Sequence, residues 1–113
     1  MEPEVIREPG AFASQLLLRD TAPLAASETR SATIDVRNLG SIGGDIYADQ
    51  GCTMKFYTSP DGDNYGTPTE LAVAAGEGIR FEYVRIAART IKVEVVNGAT
   101  PMTAFRLYIR GGA

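Results

Sequence analysis

The feature that most constrains this chain is a period of two, returning in short runs that are separated by turn residues. Within Arg89 to Val96, Ile91, Val93 and Val95 alternate with Lys92 and Glu94. Within Thr103 to Arg110, Phe105, Leu107 and Ile109 alternate with Arg106, Tyr108 and Arg110. Successive side chains of an extended strand point to opposite faces, so each run builds a sheet with one apolar and one polar face. The same pattern places Ala32, Ile34 and Val36 on one face of Arg30 to Asn38, with Thr33, Asp35 and Arg37 on the other. It sets Cys52, Met54, Phe56 and Thr58 inward against Thr53, Lys55, Tyr57 and Ser59, and Ile79, Phe81 and Tyr83 inward against Arg80, Glu82 and Val84.

Ser14 to Arg19 and Glu70 to Ala74 are shorter candidates for strands. The intervening segments carry turn chemistry: Asp20-Thr21-Ala22-Pro23, Ser59-Pro60-Asp61-Gly62-Asp63-Asn64, Ala75-Gly76-Glu77-Gly78 and Asn97-Gly98. Leu39 to Gly44 contains Gly40, Gly43 and Gly44 and reads as a loop, or a bulge, ahead of Asp45-Ile46-Tyr47. Helical period is absent, since the alanine-rich Leu71 to Ala75 is too short and ends at Gly76.

Six to eight short strands with turns at this spacing predict an all-β fold, an antiparallel β-sandwich or a jelly-roll-like barrel. A length of 113 residues accommodates one such domain. Residues 1–13 satisfy neither period. With Pro3, Pro9 and Gly10, and only Val5, Ile6 and Phe12 as large apolar groups, they read as an extended N-terminal arm ahead of a domain over 14–113. Termini fray unless tied down, and those three side chains are the groups that would tie the arm to this domain or to a neighbour. The start Met1-Glu2-Pro3-Glu4 lacks the basic opening of a secretory signal, and the longest apolar runs fall far short of a membrane helix. The expectation is therefore a chain made in the cytosol that stays there or joins a larger particle, with no membrane partner.

The residue inventory removes whole classes of chemistry. With no histidine, every Ser-His, Cys-His and His-metal arrangement is excluded. A single cysteine, Cys52, permits no intrachain disulfide and falls on an inward strand face, as a core residue does. A net charge of −3 has the wrong sign for holding nucleic acid through its phosphates. Asp61-Gly62-Asp63-Asn64-Tyr65-Gly66 matches a calcium loop at its first, third and sixth positions, but Tyr65 stands at the fifth and Ala72 at the twelfth. A plain turn accounts for it better. Carboxylate pairs such as Asp61 with Asp63, or Glu82 with Glu94, sit at turn or outward positions, where nothing raises a pKa for acid catalysis. No glycine-rich loop precedes a helix, so nucleotide binding has no support. The expectation is a protein that is not an enzyme and carries no cofactor and no metal.

What remains are surfaces. Tyr57 and Tyr108 lie on outward strand faces, and with Arg106, Arg110 and the arm residues Val5, Ile6 and Phe12 they are the candidate interface. Asp61, Asp63, Asn64 and Tyr65 form a candidate ligand loop, since an aromatic face stacks on the apolar side of a sugar.

The run Met54-Lys55-Phe56-Tyr57-Thr58-Ser59-Pro60-Asp61-Gly62-Asp63-Asn64-Tyr65, followed by Arg89-Thr90-Ile91-Lys92-Val93-Glu94-Val95-Val96-Asn97, resembles small β-sandwich domains of phage virion structural proteins and jelly-roll, carbohydrate-binding-like modules. The resemblance covers residues 52–110 and carries over no catalytic residue. It implies a non-enzymatic virion protein of a phage-like particle, decorating the capsid or associated with the tail. Such a protein assembles with itself, a trimer being one symmetric arrangement, and with the major capsid or tail protein. The alternative is a carbohydrate-binding or adhesion module.

Overall fold

The computed structural model describes residues 4–5, 15–37, 39–84 and 88–112, and of residues 4, 5, 83 and 84 the backbone alone. Among them are nine strands: β1 (Glu4–Val5), β2 (Gln15–Asp20), β3 (Thr29–Asp35), β4 (Ser41–Ala48), β5 (Cys52–Ser59), β6 (Thr69–Val73), β7 (Glu77–Val84), β8 (Thr90–Asn97) and β9 (Phe105–Gly112). They form a five-stranded sheet in the order β1-β2-β9-β4-β7 and a four-stranded sheet in the order β3-β8-β5-β6, every pairing antiparallel. This is an antiparallel β-sandwich.

The core lies between the sheets and is built from the period-two positions. Ile91, Val93 and Val95 of β8 are buried and face Met54 and Phe56 of β5 and Ile34 of β3 across the ladder. Leu107 and Ile109 of β9, Ile42 and Ile46 of β4, and Leu17 and Leu18 of β2 close the opposite wall. Phe56 and Phe81 bridge the two sheets with ring centroids 5.3 Å apart, in the tilted geometry aromatic pairs prefer. Each fully buried aliphatic side chain contributes roughly 1.5–3 kcal/mol relative to exposure. Cys52 is buried, and burial pushes its thiol above the ordinary range, as inert core packing requires.

Besides β1, an edge strand inside the segment read as having no strand period, the structure departs from the sequence reading in two places. The segment expected to be a loop up to Gly44 is instead the first half of β4, which runs through Gly43 and Gly44 in the middle of the five-stranded sheet. The reason is close approach. A Cβ at Gly44 would overlap the Tyr108 carbonyl of β9, and one at Gly43 would lie 2.9 Å from the Phe81 carbonyl of β7. Glycine is what lets β4 pair on both edges here. The second departure is at the end of β5, where the alternation slips: Thr58 is half-buried and Ser59 is fully buried. The Ser59 hydroxyl accepts a bond from the Gly62 N–H at 2.9 Å and donates to Asp61 Oδ1 at 3.0 Å, so the following turn draws it inward.

Candidate interaction surfaces

Among the described residues, two outward faces, one buried ion pair and one turn carry the candidate functional groups. The buried contact joins the sheets. Arg30 shares the inward phase of Ala32 and Ile34, and its Nη1 donates to both carboxylate oxygens of Asp20 at 2.9 Å and to the Ala22 carbonyl at 2.7 Å. Desolvation works against the guanidinium charge, but the hydrogen bonds and charge of Asp20 outweigh it, and the Arg30 pKa is raised. With its charges matched and its hydrogen bonds made, this pair holds the structure together and has no group to spare for chemistry.

The first outward face belongs to the five-stranded sheet. Antiparallel register sets its outward residues in rows: Arg106, Tyr47 and Gly78 in one, Tyr108, Asp45 and Arg80 in the next, then Arg110, Gly43 and Glu82, then Gly112 and Ser41. Arg106 leans diagonally over this surface. Its Nε donates to Asp45 Oδ1 at 3.1 Å, its guanidinium carbon stands 5.3 Å from the centre of the Tyr47 ring, and its far nitrogen reaches over Gly78. Beside this ridge the missing side chains of Gly43 and Gly112 leave a groove of about 820 Å³, lined by Ser41, Gly43, Asp45, Arg80, Glu82 and Arg110.

The second face belongs to the four-stranded sheet. Lys92 of β8 lies opposite Tyr57 of β5, and its ammonium sits 4.4 Å from the Tyr57 ring centre and 5.2 Å from that of Tyr65. Tyr57 donates its hydroxyl to Glu94 at 3.1 Å, while the Tyr65 hydroxyl shares a hydrogen bond with Thr90 at 3.2 Å. Desolvation and the neighbouring Glu94 carboxylate push the Tyr57 phenol above its ordinary range. Two aromatic rings thus share one cation.

The loop residues are occupied by their own turn. Asp61 accepts at Oδ1 from the N–H groups of Asp63 and Asn64 at 2.8 and 2.9 Å and at Oδ2 from the Asn64 amide at 2.7 Å, which holds its carboxyl far below the ordinary aspartate range. Gly62 takes a φ of 90°, the positive value this turn needs. Among the described residues, no three His, Cys, Asp or Glu side chains converge as metal ligands do.

The structure therefore sorts the sequence candidates. It brings Arg106, Tyr108 and Arg110 together on β9. It places Tyr57 on the opposite side of the sandwich, next to Tyr65 rather than to Tyr108. The backbone of Val5 pairs with Leu18 at the sheet edge, and Ile6 and Phe12 lie outside the described residues. Sequence reasoning missed Tyr47, Asp45, Arg80 and Lys92 as members of these surfaces. Their outward phase was readable, but the register that makes them neighbours was not.

The chain is similar to solved structures of other proteins. It matches the crystal structure of the PBSX exported protein XepA with 26% identity and a TM-score of 0.77, over 93% of this chain. It spans 39% of the length of that XepA chain. It also shares the fold of TmCBM61, solved in complex with β-1,4-galactotriose, with 19% identity and a TM-score of 0.56 over 95% of this chain and 80% of the other. No curated protein sequence matches it. Over residues 11–112 it matches the family model described as the N-terminal domain of the uncharacterised protein YqxG, and the chain belongs to that family.

Proposed function

We propose that this chain is a non-enzymatic structural domain of a phage-like particle, a capsid-decorating or tail-associated component that assembles with copies of itself and with other virion proteins. The observation that carries this reading is the similarity to the PBSX exported protein XepA over 93% of this chain, joined to the resemblance of residues 52–110 to phage virion domains. The topology supports it too. With β1 set aside, the orders β2-β9-β4-β7 and β3-β8-β5-β6 put four strands in each sheet, and consecutive strands mostly cross between sheets. That is the double-sheet arrangement of jelly rolls, used by capsid and lectin domains. The outward face of the five-stranded sheet, with Arg106, Arg110 and Tyr108, supplies the arginine and aromatic groups enriched at protein interfaces. In this reading residues 1–13 form an arm whose Val5, Ile6 and Phe12 add contacts to a neighbour, and residues 14–113 form the domain that the arm serves.

Deleting residues 1–13 and measuring oligomer mass and particle binding tests the arm. Loss of binding is expected, and unchanged assembly would remove the arm from the mechanism.

The Tyr57–Lys92–Tyr65 cluster favours a second reading, a glycan-binding or adhesion module in which Asp63 and Asn64 border an aromatic platform. A glycan array with the wild type and Tyr65→Ala separates the two. Binding that disappears in the variant supports the module, and silence across glycans supports assembly.

A further inference from the structure

We infer that the five-stranded sheets of two copies pack face to face, related by a two-fold axis that crosses the strands between the row of Gly43 and the row of Asp45. This deepens the assembly reading and rests on it for its biological setting. The outward face is divided into a bulky half and an empty half. The bulky half carries Tyr47, Arg106, Asp45, Tyr108 and Arg80; the other half is empty only along Ser41, Gly43 and Gly112, with Arg110 and Glu82 standing on either side of Gly43. Among the described residues nothing lies within 4 Å of a Cβ built at Gly112, and the groove over Gly43 is open.

Such an axis leaves each strand above its own counterpart and exchanges the rows. Asp45 of the second copy then settles over Gly43, and Arg106 and Tyr47 of the second copy fill the space over Gly112 and Ser41. Each ridge enters a groove, twice over, as an isologous contact requires. The charges agree with the shapes. Glu82 and Arg80 both point outward from β7 and both are exposed. The exchange of rows sets Glu82 of each copy against Arg80 of the other, and Arg110 against the face of Tyr108. The eight-residue β4, β7 and β9 and the six-residue β2, at about 4.8 Å spacing and about 3.3 Å per residue, give roughly 480 Å² of face per copy. The total of about 1,000 Å² reaches the threshold for a specific interface.

Single charge reversals separate this contact from any other. Arg80→Glu and Glu82→Arg each place like charges across the axis, whereas a pairing between the two variants restores an opposite charge at both contacts. Sedimentation velocity of the full chain should show a dimer for the wild type. Each variant alone should be weakened at least about tenfold, and an equimolar mixture should recover dimer mass. Gly112→Trp, whose Cβ meets no described residue within 4 Å, should also yield a folded monomer. A wild type that is monomeric across the concentration range overturns both this contact and self-assembly. Variants that keep wild-type mass, or a mixture that stays monomeric, overturn the face and leave assembly through another surface standing.

Discussion

Arg106 and Asp45 are ion-paired across β9 and β4 although they are not register partners: Asp45 stands opposite Tyr108, and Arg106 opposite Tyr47. The diagonal reach holds the guanidinium 5.3 Å from the centre of the Tyr47 ring and builds the ridge on the outward face. Both side chains remain nearly half exposed, at 47% and 43%. Exposed pairs are worth at most about 1 kcal/mol, so Arg106→Ala should leave the unfolding midpoint in urea almost unchanged. Its effect should instead appear in self-association, and a large loss of stability would show that the ridge serves the fold.

The Asp20–Arg30 contact predicts the opposite balance. Asp20 is 3% exposed and Arg30 12% exposed at the side chain, so removing Arg30 leaves Asp20 buried without its charge partner, and removing Asp20 leaves Arg30 with only the more exposed Glu28 at 3.3 Å. Arg30→Ala and Asp20→Ala should each cost about 3 kcal/mol in chemical denaturation. The double variant should cost less than the two single losses summed, because the pair acts as a unit.

The turn carboxylates set a pH dependence. Asp61, Asp49 and Glu28 all have lowered pKa values. In Asp61 the Asn64 N–H is the largest cause, in Asp49 the Thr103 hydroxyl, and in Glu28 the Ala25 N–H. A depressed folded-state pKa contributes stability that is complete above the unfolded value and is lost as pH falls toward the folded one. The urea midpoint should therefore be flat from neutral pH down to the ordinary carboxylate range and fall below about pH 4. Asp61→Asn should shrink that acid-side fall, and an unchanged profile would contradict the assignment.

How far the sequence led can be judged from particular strands. β8 and β9 were legible residue by residue, because one face of each is buried and alternation is the direct record of burial. β4 was not. Gly43 and Gly44 look like loop residues until the Phe81 and Tyr108 carbonyls are known to lie against them, and that proximity belongs to the sheet rather than to the segment. Arg30 was half legible: its phase was inward, but the Asp20 that makes an inward arginine tolerable comes from the other sheet. The candidate surfaces were legible as outward residues but not as neighbours. For that reason Tyr57 and Tyr108, grouped by chemistry, turned out to stand on opposite faces.

Gly44→Ala tests the account of β4. The added methyl would overlap the Tyr108 carbonyl, a backbone group that cannot swing away, and over-packing of this kind costs roughly 1–3 kcal/mol or more. Thermal unfolding should show a marked loss, while Gly66→Ala, with nothing within 4 Å of its Cβ, should be nearly neutral. Equal effects at the two positions would mean that close approach is not what places glycine in β4.

The central claim, that this chain is a structural component of a phage-like particle, is tested most directly by its stoichiometry in particles purified on a density gradient. Quantitative mass spectrometry across the fractions should find the chain peaking with the major capsid or tail protein, at a fixed ratio that survives a second gradient. A chain recovered only at the top of the gradient, free of particles in every fraction, would contradict the account.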